Sequence, residues 1–600
     1  MSVSSPSLPP RLQSLVVHSL LVLMLGFGGW VSWQRGVATD RTMREQLLAQ
    51  AVGLARTINP GHVRALNFTE ADRRNPVFQQ LREQMIAYGQ ALGLRSIYSE
   101  AMRDGKILFG PENLATNSPF ASPPGTVYEK PTAQNRQLFG GGPAFTEGPY
   151  TDEYGTFVSA LAPVLDPRTG EVLMVLGLDV EAGDWQANVW RRRIAPALFS
   201  LVLAAQLLAG YRLLRWRDGR GKLAPTWTRH LETGAVALLG LTSSVGVGLV
   251  AHELDNGSRR EVFLHLAESR IATLREVHRE IGDSLLAGIA RHMAQASEAT
   301  EAEFRRHTDG LARRAGVRAI AWAPLVPAPE KATFEARIRA TGRPGYTVFE
   351  RTAQGQAKPV EAREEFFPIL FAEPAPGNVA ELGFDLASEP IRRAALEQAR
   401  RSGLAKTTEP IIANPGAGQQ PDRLIFEPVP SLESGALNGF VVASVDYRNV
   451  LAGAFSESEM AGHVTLVEQY QLPSGAPPRR LAGWPESTAS AADVNHPDWM
   501  QLATADLTVV RPLFLFGQAH SLVMRPGPAF LAAYPGRDGR LAALTGLLLT
   551  GGATLLTALA RGRQERLERE VRARTEALQT TNHELARATL ADWLGIAQRV

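Results

Sequence analysis

The run Leu382-Gly383-Phe384-Asp385-Leu386-Ala387-Ser388-Glu389-Pro390-Ile391-Arg392-Arg393-Ala394-Ala395-Leu396 decides the reading of the largest soluble part of this chain. It reads as a strand end passing into a helix. Ser388 stands in the N-cap position, Pro390 falls in the first turn, and Ala394, Leu396 and Ala399 carry the helix to a stop at Gly403. That spacing gathers Asp385, Ser388 and Arg392 at a helix start, where free backbone N–H groups suit a polar or anionic ligand. The competing reading is a structural cap with Arg392 and Arg393 in solvent.

Strands and turns surround this run. Upstream lie Ala321-Trp322-Ala323-Pro324-Leu325-Val326, Thr333-Phe334-Glu335, Phe367-Pro368-Ile369 and Pro376-Gly377-Asn378; downstream lie Arg401-Ser402-Gly403, Glu409-Pro410-Ile411 and Phe426-Glu427-Pro428-Val429. A long helix over 258–295 precedes them. Leu264, Ala267, Ile271, Leu274, His278, Ile281, Leu285 and Gly288 alternate by three and four along it, a heptad seam that needs a partner. A twin helix in a second subunit is the simplest partner, and the domain's own body is the competitor. His278 reads as a register-setting polar residue in that seam.

Further out, four uncharged stretches, 12–33, 194–211, 233–251 and 541–560, have the length to cross about 30 Å of hydrocarbon at roughly 1.5 Å per residue. The first lacks an A-x-A cleavage pattern and reads as an anchor. Lys and Arg set the orientation. Arg212, Arg215, Arg217, Arg220, Lys222 and Arg229 crowd the connector 212–232, and Arg561, Arg563, Arg566, Arg569, Arg572 and Arg574 follow the fourth stretch, so both belong to the cytoplasm. Arg191, Arg192 and Arg193 oppose this and are outweighed. The expected layout is a cytoplasmic 1–11, an exported domain 34–193, a second exported domain 252–540, and a cytoplasmic 561–589 followed by 590–600. Nearly featureless anchors of this kind place the chemistry outside the membrane, unlike the interrupted helices of transporters.

Within 34–193, Met43, Leu47, Ala51 and Leu54 continue the first membrane helix outward. Hairpins follow at 95–109, turning on Asp104-Gly105-Lys106, and at 156–180, turning through 166–170. Gly140-Gly141-Gly142-Pro143 between them lacks the Lys and helix start of a phosphate cradle. Tyr98, Asp152 and Tyr154 are the pocket candidates here, since aromatic and carboxylate groups beside a sheet can read a small polar ligand.

Composition narrows the function. Lys plus Arg total 63 against 60 for Asp plus Glu, a formal charge of +3 that argues against nucleic acid as a partner. Cys is absent, which removes disulfides, thiolate metal sites and cysteine nucleophiles. No Walker A, HExxH or Gly-rich kinase loop appears, so the reading contains no catalytic residue, no metal site and no cofactor.

Two resemblances add to this. The motifs of 318–443, in order, closely resemble the CHASE domain, an extracellular ligand-binding module of membrane-bound signalling enzymes. The resemblance implies that an acidic residue reading adenine-type ligands in plant cytokinin receptors falls at Arg392; the reversed charge argues against a cytokinin. Tyr150-Thr151-Asp152-Glu153-Tyr154-Gly155, Ser159-Ala160-Leu161-Ala162-Pro163-Val164 and Leu176-Gly177-Leu178-Asp179 resemble the central hairpin of extracytoplasmic PAS-like sensors often grouped with Cache domains.

In the tail, Val571, Leu578 and Leu585 occupy one apolar heptad phase, a weak two-stranded signalling helix. His583-Glu584-Leu585 resembles the start of a histidine kinase phosphoacceptor motif but lacks its Arg and Pro, and Glu576-Ala577-Leu578 is a chance EAL tripeptide. Residues 590–600 resemble the opening helix of a PAS domain, which suggests the front portion of a longer protein. The expected fold is α+β: two extracytoplasmic PAS-like sensor domains joined to four transmembrane helices and a cytoplasmic coiled-coil helix. The expected function is a multi-pass sensor of the inner (plasma) membrane, homodimeric, binding a small polar or anionic ligand. It would form the input half of a two-component histidine kinase that addresses a response regulator, with a diguanylate cyclase or phosphodiesterase, or a non-enzymatic receptor, as alternatives.

Overall fold

The computed structural model describes residues 10–118, 120–220, 225–295, 300–308, 316–352, 355–374, 381–411, 423–431, 435–454, 465–472, 478–485 and 507–597. The expected turn at Pro376-Gly377-Asn378 and the last three residues of the PAS-like tail lie outside them. Contacts divide the chain into two compact units: Met1–Asp40 with Ala187–Ser258 and Gly536–Val600, and Arg41–Gln186 with Arg259–Pro535.

The first unit is helical. Its members belong to the helices Pro10–Ala55, Ala182–Arg220, Leu231–Arg279 and Asp538–Ala597, each containing a stretch long and apolar enough to cross a membrane. Small residues let two of them close together: a Cβ on Gly240 would strike Thr550, one on Gly546 would strike Ser244, and Ser244 and Thr550 share a hydroxyl hydrogen bond of 3.1 Å. Such close backbone approach is how apolar helices associate when lipid removes the hydrophobic drive. Ion pairs mark the two ends of the unit. Arg35 and Arg192 both meet Glu253 at one end, and Arg217 and Arg561 both meet Glu232 at the other. Arg192, which opposes the charge ledger, is thus partly neutralised by an acidic partner.

The second unit carries three larger antiparallel sheets. In the first, β1 (Ser96–Arg103), β2 (Lys106–Glu112), β3 (Phe145–Thr151), β4 (Thr156–Leu165) and β5 (Val172–Glu181) lie in the order β2-β1-β5-β4-β3. Both expected hairpins are present, and Asp104 and Gly105 take the positive φ values of 48° and 73° that a two-residue hairpin turn requires. The helix Pro76–Leu92 covers this sheet through β1 and β2, and also packs on β17 and β18 described below. The sequence reading separated 34–193 from 252–540; these contacts gather the soluble parts of both into one unit.

The second sheet uses β6 (Val317–Pro324), with the short β7 (Val326–Pro327), β8 (Phe349–Arg351), β9 (Ala357–Pro359) and β10 (Glu365–Phe366) at its margins. It is completed by β11 (Phe371–Glu373), β12 (Lys406–Thr407), β13 (Arg423–Pro430) and β14 (Leu437–Val445), in the order β11-β6-β14-β13-β12. A third sheet, which the sequence reading did not separate, follows from β15 (Thr465–Gln471), β16 (Arg479–Trp484), β17 (Val509–Leu515) and β18 (Gln518–Pro526), ordered β16-β15-β18-β17.

The heptad seam of 258–295 finds its partner in its own chain. Phe263, Ala267, Ile271 and Leu274 are buried against Val467, Trp484, Leu513, Leu522 and Met524 of the third sheet, whereas Ile281, Leu285 and Ile289 are buried against Ile320, Trp322, Ile425 and Val441 of the second. The twin-helix expectation for this seam is therefore corrected. A seam of period 3.5 specifies a buried stripe and not whose surface buries it.

Candidate functional site

Of the two sequence-predicted sites, one forms a pocket. Tyr98 on β1, Asp152 and Tyr154 in the turn joining β3 to β4, and Asp179 on β5 line a small open recess with a cavity volume of about 40 Å³. Arg95, Phe109, Glu112, Ser122 and Tyr128 complete its wall. The sequence makes this room at one position: Tyr98 lies directly opposite Gly177, and a Cβ there would come within 2.2 Å of the Tyr98 ring. Only the bare backbone of Gly177 lets the ring lie across β5.

The wall is rigid. Asp152 Oδ1 accepts from the backbone N–H groups of Tyr154 (2.8 Å) and Gly155 (3.1 Å), so the turn holds itself, and Tyr128 donates its hydroxyl to Oδ2 at 3.3 Å. Ser122 donates to the Tyr154 hydroxyl at 3.0 Å and its N–H to Glu112 at 2.9 Å. Phe109 sits centrally, 5.9 Å from Tyr98, 5.3 Å from Tyr128 and 5.7 Å from Tyr154, ring centre to ring centre. Behind it, Ser159 donates to Asp179 at 2.6 Å and Asn135 to Glu100 at 3.0 Å.

The electrostatics are one-sided. Among the described residues no ion pair reaches Glu100, Asp152 or Asp179. Burial pushes the Glu100 carboxyl up to about 8, with Asp179 adding repulsion, and pushes the Asp179 carboxyl up to about 7. Burial likewise raises Glu112 to about 7. Arg95 lines the pocket, but it pairs with Glu181 and lies 5.0 Å from the Phe120 ring centre. Asp152 and Asp179 thus line the pocket beside the aromatic faces of Tyr98, Phe109 and Tyr128 with no ion-pair partner among the described residues.

The second predicted site is closed by its own partners. The N-cap of Pro390–Ser402 is Glu389, not Ser388: its carboxylate accepts from the N–H groups of Ile391 (3.3 Å) and Arg392 (3.1 Å). Ser388 instead donates its hydroxyl to the Asp385 carbonyl at 2.5 Å, within a short 3-10 turn that Asp385 caps. Asp385 is fully buried and faces Arg363 (2.6 Å) and the Phe367 N–H (2.9 Å), so it does not orient Arg392. Arg392 is also buried, its guanidinium 4.8 Å from the Phe384 ring centre and 3.7 Å from Glu389, which rules out the solvated reading for it. The stop at Gly403 is as expected, with φ of 65°. The helix start exists, but a carboxylate of the chain already occupies it.

Residues 297–480 match the family model of the CHASE domain. That span contains the 382–396 run and the 318–443 motifs. No curated protein matches the chain. Among solved structures, the ligand-binding domain of the Pseudomonas aeruginosa PAO1 amino acid chemoreceptor PctC, in complex with GABA, aligns at 14% identity over 44% of this chain and 99% of that one, with a TM-score of 0.25. The sensory domain of the Campylobacter jejuni chemoreceptor Tlp3 aligns at 14% identity over 29% and 67%, with a TM-score of 0.22. TM-scores this low leave the fold and the ligand to be argued from this chain's own residues.

Glu100, Glu112, Tyr128 and Asp179 escaped the sequence reading. One signal was available: Asp179 interrupts the apolar run Val175-Leu176-Gly177-Leu178, and register pairs it with both Ser96 and Ser159. Tyr128 comes from an irregular segment and carries no such periodic mark.

Proposed function

We propose that the chain is a membrane-anchored sensor whose 96–181 pocket takes up a small extracytoplasmic molecule bearing a positively charged amine. The single observation that carries this is the set of Glu112, Asp152 and Asp179 among aromatic walls, with burial raising Glu112 and Asp179 to about 7. An ammonium group would supply the missing counter-charge, and the ring faces of Tyr98, Phe109 and Tyr128 would add cation–π attraction. This reading is preferred to a polar or anionic ligand near Arg392, because Glu389 already accepts from the N–H groups of that helix start.

The ion pairs at the ends of the helical unit support a topology with 212–232 and 561 on the same side, the cytoplasmic one by the charge ledger. The continuous helix Asp538–Ala597 would carry the signal inward. Its exposed Leu567, Val571, Leu578 and Leu585 suit pairing with a second copy, so we read the receptor as a homodimer. As output we favour a two-component histidine kinase acting on a response regulator, with a cyclic-di-GMP enzyme as the alternative. Calorimetry on the full chain in lipid nanodiscs, with panels of amines, amino acids and organic acids, tests the ligand class. Amines and amino acids should bind; binding confined to acids would overturn it.

A further inference from the structure

The helix that leaves the third membrane stretch changes partners at His278. Before it, Phe263, Ala267, Ile271 and Leu274 belong to the core of the third sheet; after it, Ile281, Leu285 and Ile289 belong to the core of the second. At this point the helix widens into a π-helical segment, Glu280–Leu286. Such bulges interrupt regular hydrogen bonding and concentrate at functional positions.

A buried polar cluster fills the place where the two cores meet. His278 lies 5.8 Å from Tyr447, and Tyr447 lies 5.6 Å from His520, ring centre to ring centre. His278 is 2% exposed and His520 is 0% exposed. The Leu274 carbonyl, 2.7 Å from His278 Nδ1, requires that nitrogen to be the donor, so Nε2 is left as a bare acceptor without a partner among the described residues. The Gln469 amide nitrogen donates to His520 Nδ1 at 3.3 Å, and His520 Nε2, like the Tyr447 hydroxyl, has no partner among the described residues. Burying polar atoms without partners is costly.

The charges facing the pair are mostly positive. Arg423 on β13 sits 5.9 Å from the Tyr447 ring centre and donates to Gln471 (2.6 Å) and Gln518 (2.7 Å). Arg479 on β16 lies across from Gln471, and Arg275 is one turn below His278, near Glu268, Arg511 and Tyr88. A carboxylate on that side is Glu409, which accepts from Gln471 at 2.8 Å and acts on Arg423. Asp446, which caps the Tyr447 helix, is held by Arg318 and Arg448.

We propose that His278 and His520 form a proton-sensing site that loosens the junction between the second and third sheets when the external medium acidifies. Protons would add charge beside Arg423 in a place where only neutral rings fit. Burial lowers the pKa of both imidazoles, that of His520 well below its ordinary value with Arg423 and His278 adding repulsion. The sign follows: the opened state binds more protons than the closed one, so the closed junction is favoured above about pH 6.5 and is lost as pH falls through the lowered values. Because the strand leaving the third sheet leads through Pro528–Ala533 into the helix Asp538–Ala597, loosening this sheet acts on the inward-running helix.

Amide hydrogen exchange on the full chain in nanodiscs, corrected for intrinsic rates, tests this at about pH 7.5 and about pH 5.5. The proposal expects protection of 263–293, 465–471 and 518–526 to fall roughly tenfold or more at the lower pH in the wild type. His278→Gln and His520→Gln should each reduce that fall, and His265→Gln, on the exposed face of the same helix, should leave it intact. Imidazole C2 exchange in the wild type supplies a readout that needs no variant: the midpoints of His278 and His520 should coincide with the loss of amide protection. Unchanged protection between the two pH values, a fall that survives in both glutamine variants, or midpoints that do not track the amide transition would each overturn it.

Discussion

The 96–181 pocket and the 349–393 region both bury carboxylates beside phenylalanine rings, yet they solve the electrostatic problem in opposite ways. In the second, Asp385 and Glu350 share Arg363, Glu350 also meets Lys358, and Arg351 meets Glu381. Despite burial, Lys358 and Arg363 hold Glu350 below the usual carboxylate range; burial still raises Asp385, with Arg363 opposing the rise. In the first, the hydrogen-bond partners of Asp179 and Glu100 among the described residues are neutral, and burial drives both carboxyls up. A paired cluster is finished as folded. An unpaired one remains open to a charge from outside, and that difference is the reason to place the ligand in the first region.

Breaking the pairing should have the largest effect. Arg363→Met leaves Asp385 and Glu350 buried without their shared guanidinium and should cost about 3–5 kcal/mol of stability, read as a fall in the denaturation midpoint of the full chain. Amine binding should be unaffected at temperatures where the variant stays folded. Next comes Asp179→Asn, which removes the carboxylate facing the ligand's ammonium and should weaken amine binding by about 2–4 kcal/mol in calorimetry, with a smaller effect on the melting temperature. The same measurement on Arg392→Ala should show no loss of amine affinity. Gly177→Ala forces the Tyr98 ring to move and should cost roughly 1–3 kcal/mol of stability while abolishing uptake. The smallest effect is expected for Glu389→Ala, about 1 kcal/mol, as for any lost N-cap, seen as a modest thermal shift.

How far the sequence reached depends on the kind of signal each residue carries. The hairpins of the first sheet were legible because Asp104-Gly105 and the alternating runs on either side state both the turn and the strands. The Gly403 stop was legible for the same local reason. The assignment of the cap to Ser388 failed because Glu389 is equally able to accept from the N–H groups two and three residues on, and Asp385 had already drawn Ser388 into its own turn. Tyr98, Asp152 and Tyr154, which line one recess, could be named together because they flank turns and strand ends, whereas Asp385 was named in the wrong partnership. Its true partner Arg363 lies 22 residues upstream in an irregular stretch, a distance no periodicity bridges. The seam of 258–295 shows the same limit. Its stripe was plain, but the third sheet that covers half of it is assembled from strands between 465 and 526.

The central claim is that an external ammonium group completes the 96–181 pocket. Its most direct test is isothermal titration of the full chain in nanodiscs with a small amine at about pH 6 and about pH 8, each in two buffers of different ionisation enthalpy. Asp179 and Glu112, both at about 7, are mostly protonated in the empty pocket at the lower pH and must ionise to hold a cation. Binding should therefore strengthen by roughly tenfold or more from the lower pH to the higher and release protons to the buffer at the lower one. Affinity that is independent of pH with no proton release, or tight binding of organic acids in place of amines, would contradict the account.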